Sequence, residues 1–188
     1  DELLRLQHVT LSGDGEPTLV PWFAEALEAI VHVRASAGFP FFKLVLVTNA
    51  TGLERPEVQQ GLRYLTQSDE VWAKLDAGTQ NYVNQINRTN VSLESVLASI
   101  LKVARQRPVI IQSLFAGING VEPPLEEIKQ YTARLKDLHT QGAQISLVQI
   151  YSATRPTTNP ECGHLPLRTL SSIAQTVRRV TGLKVEIF

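Results

Sequence analysis

The 188-residue chain contains no methionine and a single cysteine, Cys162. One cysteine excludes an internal disulfide framework and favours a reducing, cytoplasmic compartment. Without methionine there is no initiator residue. Asp1-Glu2-Leu3-Leu4-Arg5 is no secretory leader and looks like the tail of an element, so the chain is expected to be a fragment. Net charge is also missing: 18 Lys and Arg balance 18 Asp and Glu. That balance leaves no overall footprint for nucleic acid or an anionic membrane. No apolar run approaches the roughly 20 residues that cross a bilayer. Four histidines are present, His8, His32, His139 and His164, and none stands at HExxH spacing. Cys162 and His164 lie two apart, too few ligands for a zinc site. GxGxxG, the P-loop and GxSxG are absent, so nothing marks a dinucleotide fingerprint, a phosphate-cradling loop or a nucleophile elbow.

What is present is an alternation of short apolar strands and amphipathic helices. Strands are predicted over 6–12, 43–48, 70–76, 109–114, 144–151 and, last and shortest, 184–188. Between them the 3.6-residue period predicts helices over about 21–37, 56–65, 92–105, 125–141 and 167–180, with a short turn of helix near 82–86. Gly38, Gly142 and Gly182 stand where helices should stop, and Pro56 and Pro123-Pro124 where they should start. Phe23, Leu27, Ile30, Val31 and Arg34 share one side of the first helix. Leu125, Ile128, Leu135 and Leu138 keep the period of the fourth, and Leu167, Leu170, Ile173, Val177 and Val180 that of the last. Strands that are apolar on both faces are usually parallel and covered by helices. Five βα units in series give a doubly wound sheet or a barrel, and periodicity does not choose between them. No linker or second domain interrupts residues 1–188.

Polar residues gather at the C-terminal ends of the strands, where parallel α/β folds bind ligands. Strand one ends in Ser12 and leads to Asp14 and Glu16; strand two ends in Thr48-Asn49. Strand three carries Lys74 and Asp76. Strand four carries Gln112 and Ser113, followed by Asn119. Strand five carries Gln149 and Tyr151, followed by Arg155. Glycines in Gly13-Asp14-Gly15-Glu16-Pro17 permit unusual backbone angles and let a ligand approach the main chain. Glu16, fixed by the proline, is an acceptor suited to an ammonium group. Lys74 and Asp76 suit a ribose or a carboxylate, and equally suit one another as an ion pair.

These segments, in this order, resemble the radical S-adenosylmethionine (SAM) superfamily, in the iron–sulfur oxidoreductase branch related to wyosine-forming tRNA enzymes. The likeness rests on Val9 to Leu19 with its Gly15-Glu16-Pro17, on Leu46-Val47-Thr48-Asn49-Ala50-Thr51, and on Val71 to Gly78. Gln112-Ser113-Leu114-Phe115 and Gln149-Ile150-Tyr151 leading to Arg155-Pro156 complete it. The resemblance implies an α/β fold, a partial parallel (β/α) barrel of TIM type, with SAM across the strand ends. It implies that Gly15, Glu16 and Pro17 hold the methionine amine, and that Thr48 and Asn49 lie near its carboxylate. It sets Lys74 and Asp76 at the ribose and Gln112 and Ser113 at the next contact, with Gln149 to Tyr151 passing the adenine. It further implies a four-iron four-sulfur cluster that reduces SAM to a 5′-deoxyadenosyl radical for hydrogen abstraction from a substrate. The cofactor does that chemistry, while the protein positions and shields it. An electron donor such as flavodoxin or ferredoxin would serve it. The substrate is not legible, and both RNA and protein are open.

The sequence departs from the family in three places. Asp14 stands where many members have glycine, and Asn49-Ala50 replaces Asn-Gly. The third is CxxxCxxC, whose three thiolates leave one iron open for SAM; in the family it would lie ahead of residue 1. The chain is therefore expected to lack the first βα unit and, alone, neither to bind the cluster nor to run the radical reaction. Two other readings stand beside this one. One is a different (β/α)-barrel enzyme using Lys74 or Glu16 as acid–base groups, and the other is a SAM- or partner-binding module without a cluster.

Overall fold

The computed structural model describes residues 6–13, 15–36, 41–87, 90–154 and 159–188. Strand β1 (His8–Leu11) leads through a 3₁₀ turn (Pro17–Leu19) to helix α1 (Phe23–Ser36). β2 (Lys43–Thr48), α2 (Pro56–Leu62) and β3 (Glu70–Lys74) follow. Two helices, α3 (Gln80–Asn87) and α4 (Leu93–Ala104), precede β4 (Val109–Phe115) and a short β5 (Gly117–Ile118). α5 (Leu125–Thr140) leads to β6 (Ile145–Ser152), and β7 (Cys162–Gly163), α6 (Leu167–Thr181) and β8 (Val185–Ile187) close the chain.

The main sheet has six strands in the order β1-β2-β3-β4-β6-β8, and every pairing is parallel. Strand order follows chain order without reversal. A doubly wound sheet needs a reversal at its switch point, and a barrel-type sheet does not. The architecture is therefore the partial barrel. Its helices form a single outer layer in sequence, with α1 against α2, α4 against α5 and α5 against α6. The apolar core lies between sheet and helices, built on Leu44, Leu46, Val71, Ala73, Ile111, Phe115, Val148 and Ile150.

The alternate residues of each strand face the inner side, and the register stacks them in rows. The lowest row holds His8 beside Lys43, with Thr10, Val45 and Glu70 above it. Next comes an apolar belt, Val47–Trp72–Ile110–Leu147. Above the belt runs a polar row, Lys74–Gln112–Gln149–Glu186.

The lower end of the sheet is tied by a buried ion pair. Arg34 donates to Asp69 at 2.7 and 3.1 Å, and Asp69 also accepts the amides of Leu44 and Thr66. Burial pushes the Asp69 carboxyl up, but the hydrogen bonds from Arg34, Leu44 and Thr66 outweigh it and hold the group below the usual range. Arg107 donates to the carbonyls of Leu62, Leu65, Thr66 and Asp69, satisfying the end of α2.

Several expectations need correction. The third strand stops at Lys74, so Asp76 belongs to the loop beyond it. Leu125, Leu167 and Val180 are exposed rather than inward, because the first two open their helices beyond the packed layer. The antiparallel β5–β7 pair was not foreseen. Gly38 lies outside the described residues. Among those residues no helix is long and apolar enough to cross a membrane.

Candidate functional site

Glu16 follows β1 and caps the 3₁₀ turn. Its Oε1 accepts from the Thr18 amide at 3.1 Å, the Thr18 hydroxyl at 2.6 Å and the Thr48 hydroxyl at 2.5 Å. Its Oε2 accepts from the Asn49 amide at 2.7 Å. The carboxylate thus ties the end of β1 to the end of β2 with four donors. Gly52 packs directly on Thr18, with no room for a side chain between them. Gly13 and Gly15 differ: a Cβ at either would meet nothing within 4 Å, and neither has positive φ. The expected unusual backbone angles are absent there, whereas the expected open space above the main chain is present.

Beyond the ends of β2, β3 and β4 lies a cavity of about 470 Å³. Asn49, Thr51, Lys74 and Asp76 form its polar end. Val83 and Ile86 of α3, with Val91, Leu93 and Val96, form an apolar arch, and Asn159 and Cys162 close a side. Lys74 and Asp76 are an ion pair at 3.5 Å. Asp76 Oδ1 accepts the Leu114 amide at 2.9 Å, and Lys74 shares a side-chain hydrogen bond with Tyr151. The Asp76 carboxylate holds the Lys74 ammonium above the usual lysine range; burial opposes this, and Tyr151 adds to it. Lys74 therefore stays charged, as a donor and not a base.

The sequence-expected residues divide by strand parity. Asn49, Lys74 and Asp76 come together in the cavity, with Tyr151 against Lys74. Gly15, Glu16 and Pro17 stand beside Asn49 at the neighbouring strand ends. Thr48 and Ser113 point the other way. Thr48 is buried, bonded to Glu16 and to the Ala50 amide. Ser113 is buried, donating to the Leu75 carbonyl at 2.7 Å and sharing a 2.6 Å bond with the Tyr131 hydroxyl. Both have the parity of core-facing residues on their strands, which removes them from the groove and makes them braces behind it. Gln112 and Gln149 face inward and bond to one another at 3.3 Å, in the row of Lys74 but outside the cavity lining. Asp14, Arg155 and Pro156 lie outside the described residues.

Some contributors were not anticipated. Glu127, buried at the start of α5, accepts from the Gly78 amide at 2.5 Å and the Thr79 hydroxyl at 2.6 Å, pinning the loop after Asp76. Gly78 packs so closely on the Tyr131 backbone that no Cβ fits. The sequence signal for Glu127 was an acid in a first helical turn, which favours the helix dipole anywhere. The arch of Val83, Ile86 and Val91 carried only the ordinary core pattern.

No family model matches the chain. Over 140 residues it is 30% identical to S-adenosyl-L-methionine-dependent tRNA 4-demethylwyosine synthase of Schizosaccharomyces pombe, covering 72% of this chain and 18% of that protein. Over 95 residues it is 37% identical to a UPF0026 protein of Synechocystis, covering 49% and 32%. SuiB of Streptococcus suis, solved bound to S-adenosylmethionine, superposes with a TM-score of 0.70 at 14% identity, over 96% of this chain and 39% of SuiB. A radical SAM methyltransferase from Sphaerobacter thermophilus superposes at 0.65 and 14% identity, over 97% and 50%. The fold is that of the radical SAM enzymes. With the sequence relationship to the wyosine-forming enzyme, the chain is related to the radical SAM superfamily. It spans less than a fifth of the synthase and at most half of these two solved structures.

Proposed function

We propose that this chain is the SAM-binding part of a radical SAM enzyme. The observation that carries the reading is the amphipathic cavity whose polar end is the Lys74–Asp76 pair. Asp76 is a fixed acceptor for ribose hydroxyls, because Leu114 and Lys74 already orient it. The charged Lys74 suits ribose oxygens or the methionine carboxylate, and the apolar arch suits the flat base. The methionine end would extend past Asn49 toward Gly13 and Gly15, where the space beside the main chain is open. Glu16 and Pro17 hold that loop. The Glu16 carboxylate, with four donors already, acts as its anchor, and Thr48 and Ser113 keep the strand ends in place from behind.

When SAM and a four-iron four-sulfur cluster are both bound, the chemistry supplied is hydrogen abstraction by a 5′-deoxyadenosyl radical. Among the described residues no three His, Cys, Asp or Glu side chains converge as a metal-ligand set. The residues present bind, orient and enclose. An electron donor of the flavodoxin or ferredoxin type and an RNA or protein substrate belong to the same proposal.

The raised pKa of Lys74 and the saturated carboxylate of Glu16 argue against an aldolase-like barrel, whose lysine must be lowered to act. Titration of the isotopically labelled chain with SAM tests the proposal. Amide shifts at Asn49, Lys74 and Asp76 that saturate, and that Asp76→Ala removes, are the expected result. Saturating SAM with no shift at those three residues defeats it.

A further inference from the structure

One wall of the cavity stands on a helix that its own sequence supports poorly. α3 is a single run of eight residues, Gln-Asn-Tyr-Val-Asn-Gln-Ile-Asn, and its first turn carries no acid. Asparagine and the β-branched Val83 and Ile86 are weak helix formers. Isolated helices shorter than about 12–15 residues are marginal even when rich in alanine. Yet Val83 and Ile86 of this helix line the same cavity as Lys74 and Asp76. The place of that wall therefore depends on what grips α3 from outside.

The amino end is gripped from α5. The Thr79 hydroxyl accepts from the Tyr82 amide at 3.3 Å and donates to the buried Glu127 at 2.6 Å. Gln80 ties the helix to the other half of the arch. Its Oε1 accepts from the Leu93 amide at 2.7 Å, and its Nε2 donates to the Val91 carbonyl at 3.0 Å. The carboxyl end needs a partner of another kind, because the last carbonyls of a helix have none within it. One of them, Gln85, accepts from Asn159 Nδ2 at 2.9 Å, 74 residues away in the chain. Asn159 is only 3% exposed and itself lines the cavity. Its Oδ1 accepts the Glu161 amide at 3.1 Å and its carbonyl accepts the Cys162 amide at 3.0 Å, which closes a turn. That turn is fastened to the segment after β4 by the β5–β7 pairing and by the Asn119 amide, which donates to the Glu161 carbonyl at 2.8 Å.

We infer that Asn159 is a positioning residue of the cavity. Its amide bridges the Cys162 turn to the far end of α3, and so fixes the Val83–Ile86 wall relative to the Lys74–Asp76 pair. Asparagine suits this place because one side chain gives a donor to the helix carbonyl and an acceptor to the turn, whereas an ionised aspartate gives only the acceptor. That the wall so held receives the base of SAM rests on the reading above; the holding itself does not.

Cys162, the sole cysteine, lies in this turn and lines the cavity, so its thiol reports on the joint. In the full chain, Asn159→Asp keeps the shape and removes the donor. The rate at which a thiol reagent such as dithionitrobenzoate labels Cys162 is expected to rise about tenfold, the worth of one hydrogen bond. Amide hydrogen exchange within α3 should quicken by a similar factor, while that of β3 and β4 stays at the parent rate. SAM should bind the variant about tenfold more weakly. Asn159→Ala carries the same expectations and covers the case in which the aspartate variant fails to fold. Unchanged α3 exchange overturns the inference. So does an equal rise in β3 and β4, which would make Asn159 a support of the whole fold and not of the wall. Released α3 with SAM affinity intact overturns the positioning role as well. SAM that neither binds the parent nor slows Cys162 labelling defeats the cofactor reading alone, and the exchange rates still decide whether Asn159 holds the wall.

Discussion

The Glu16 carboxylate and the Thr48 hydroxyl meet at 2.5 Å across the first two strands of the sheet. The residue that reads as a ligand for an ammonium group is thereby the knot holding two strand ends together, and the neighbouring main chain is left open in its place. Each Glu16 oxygen faces only donors: two Thr18 groups and Thr48 on one side, Asn49 on the other.

Glu16→Gln therefore has no good orientation. Either way the amide NH₂ meets a donor, and at least one hydrogen bond to a charged acceptor is lost. The expected cost is about 2 kcal/mol, which for a chain of this size lowers the melting temperature by about 4–8 °C. Thermal melts followed by circular dichroism measure it. An unchanged melt would show that the knot does not hold the strand ends.

Ala50 makes the second prediction. It sits at φ 67° and is fully buried, where the family commonly has glycine. Ala50→Gly relieves about 1–2 kcal/mol of left-handed strain. It loses about 0.8 kcal/mol of methyl burial and about 0.5–1 kcal/mol to the freer unfolded chain. These terms nearly cancel, so the urea midpoint should move by the equivalent of less than about 1 kcal/mol. Ala50→Val, branched at positive φ in a packed site, should cost more than about 2 kcal/mol.

The main-sheet strands and the polar strand ends were legible because continuous apolar runs and glycine stops are local signals, whereas the barrel order of the strands came only with the family resemblance. The direction of each polar residue was not. Strands such as Lys43–Thr48, apolar on both faces, hide their parity, so Thr48 looked like a partner of Asn49 rather than of Leu44 and Leu46. Ser113 went astray for the same reason. Arg34 fell on the inward side of its helix by period, but its partner Asp69 is 35 residues away and carries no local mark. The β5–β7 pair joins segments more than forty residues apart through two residues each, too short for any pattern.

Asp69 sets the acid limb of stability. Its folded-state pKa lies below the ordinary value of 3.8. Its contribution is complete above the unfolded value and is lost as pH falls through the folded one. Stability should therefore drop below about pH 4. Asp69→Asn should flatten part of that drop while costing about 3 kcal/mol at neutral pH, because Arg34 is left buried without its partner. Urea unfolding at a series of pH values checks both. A variant with the same acid profile as the parent would show that Asp69 does not carry this limb.

Behind the site, Ser113 and Tyr131 should act as a unit. Tyr131 is fully buried and its hydroxyl meets Ser113, which also donates to Leu75, the residue before Asp76. Tyr131→Phe removes one bond and should cost about 1 kcal/mol. Ser113→Ala costs about 2 kcal/mol, because it strands both the Tyr131 hydroxyl and the Leu75 carbonyl. The double variant should cost less than the sum by about 1 kcal/mol, since the stranded hydroxyl is gone. Ser113→Ala should also weaken SAM binding more than Tyr131→Phe, because of the two hydroxyls it is that of Ser113 that bonds the Leu75 carbonyl beside Asp76. Additive stabilities would mean the two hydroxyls do not share a bond, and equal effects on SAM would mean the Leu75 link does not position Asp76.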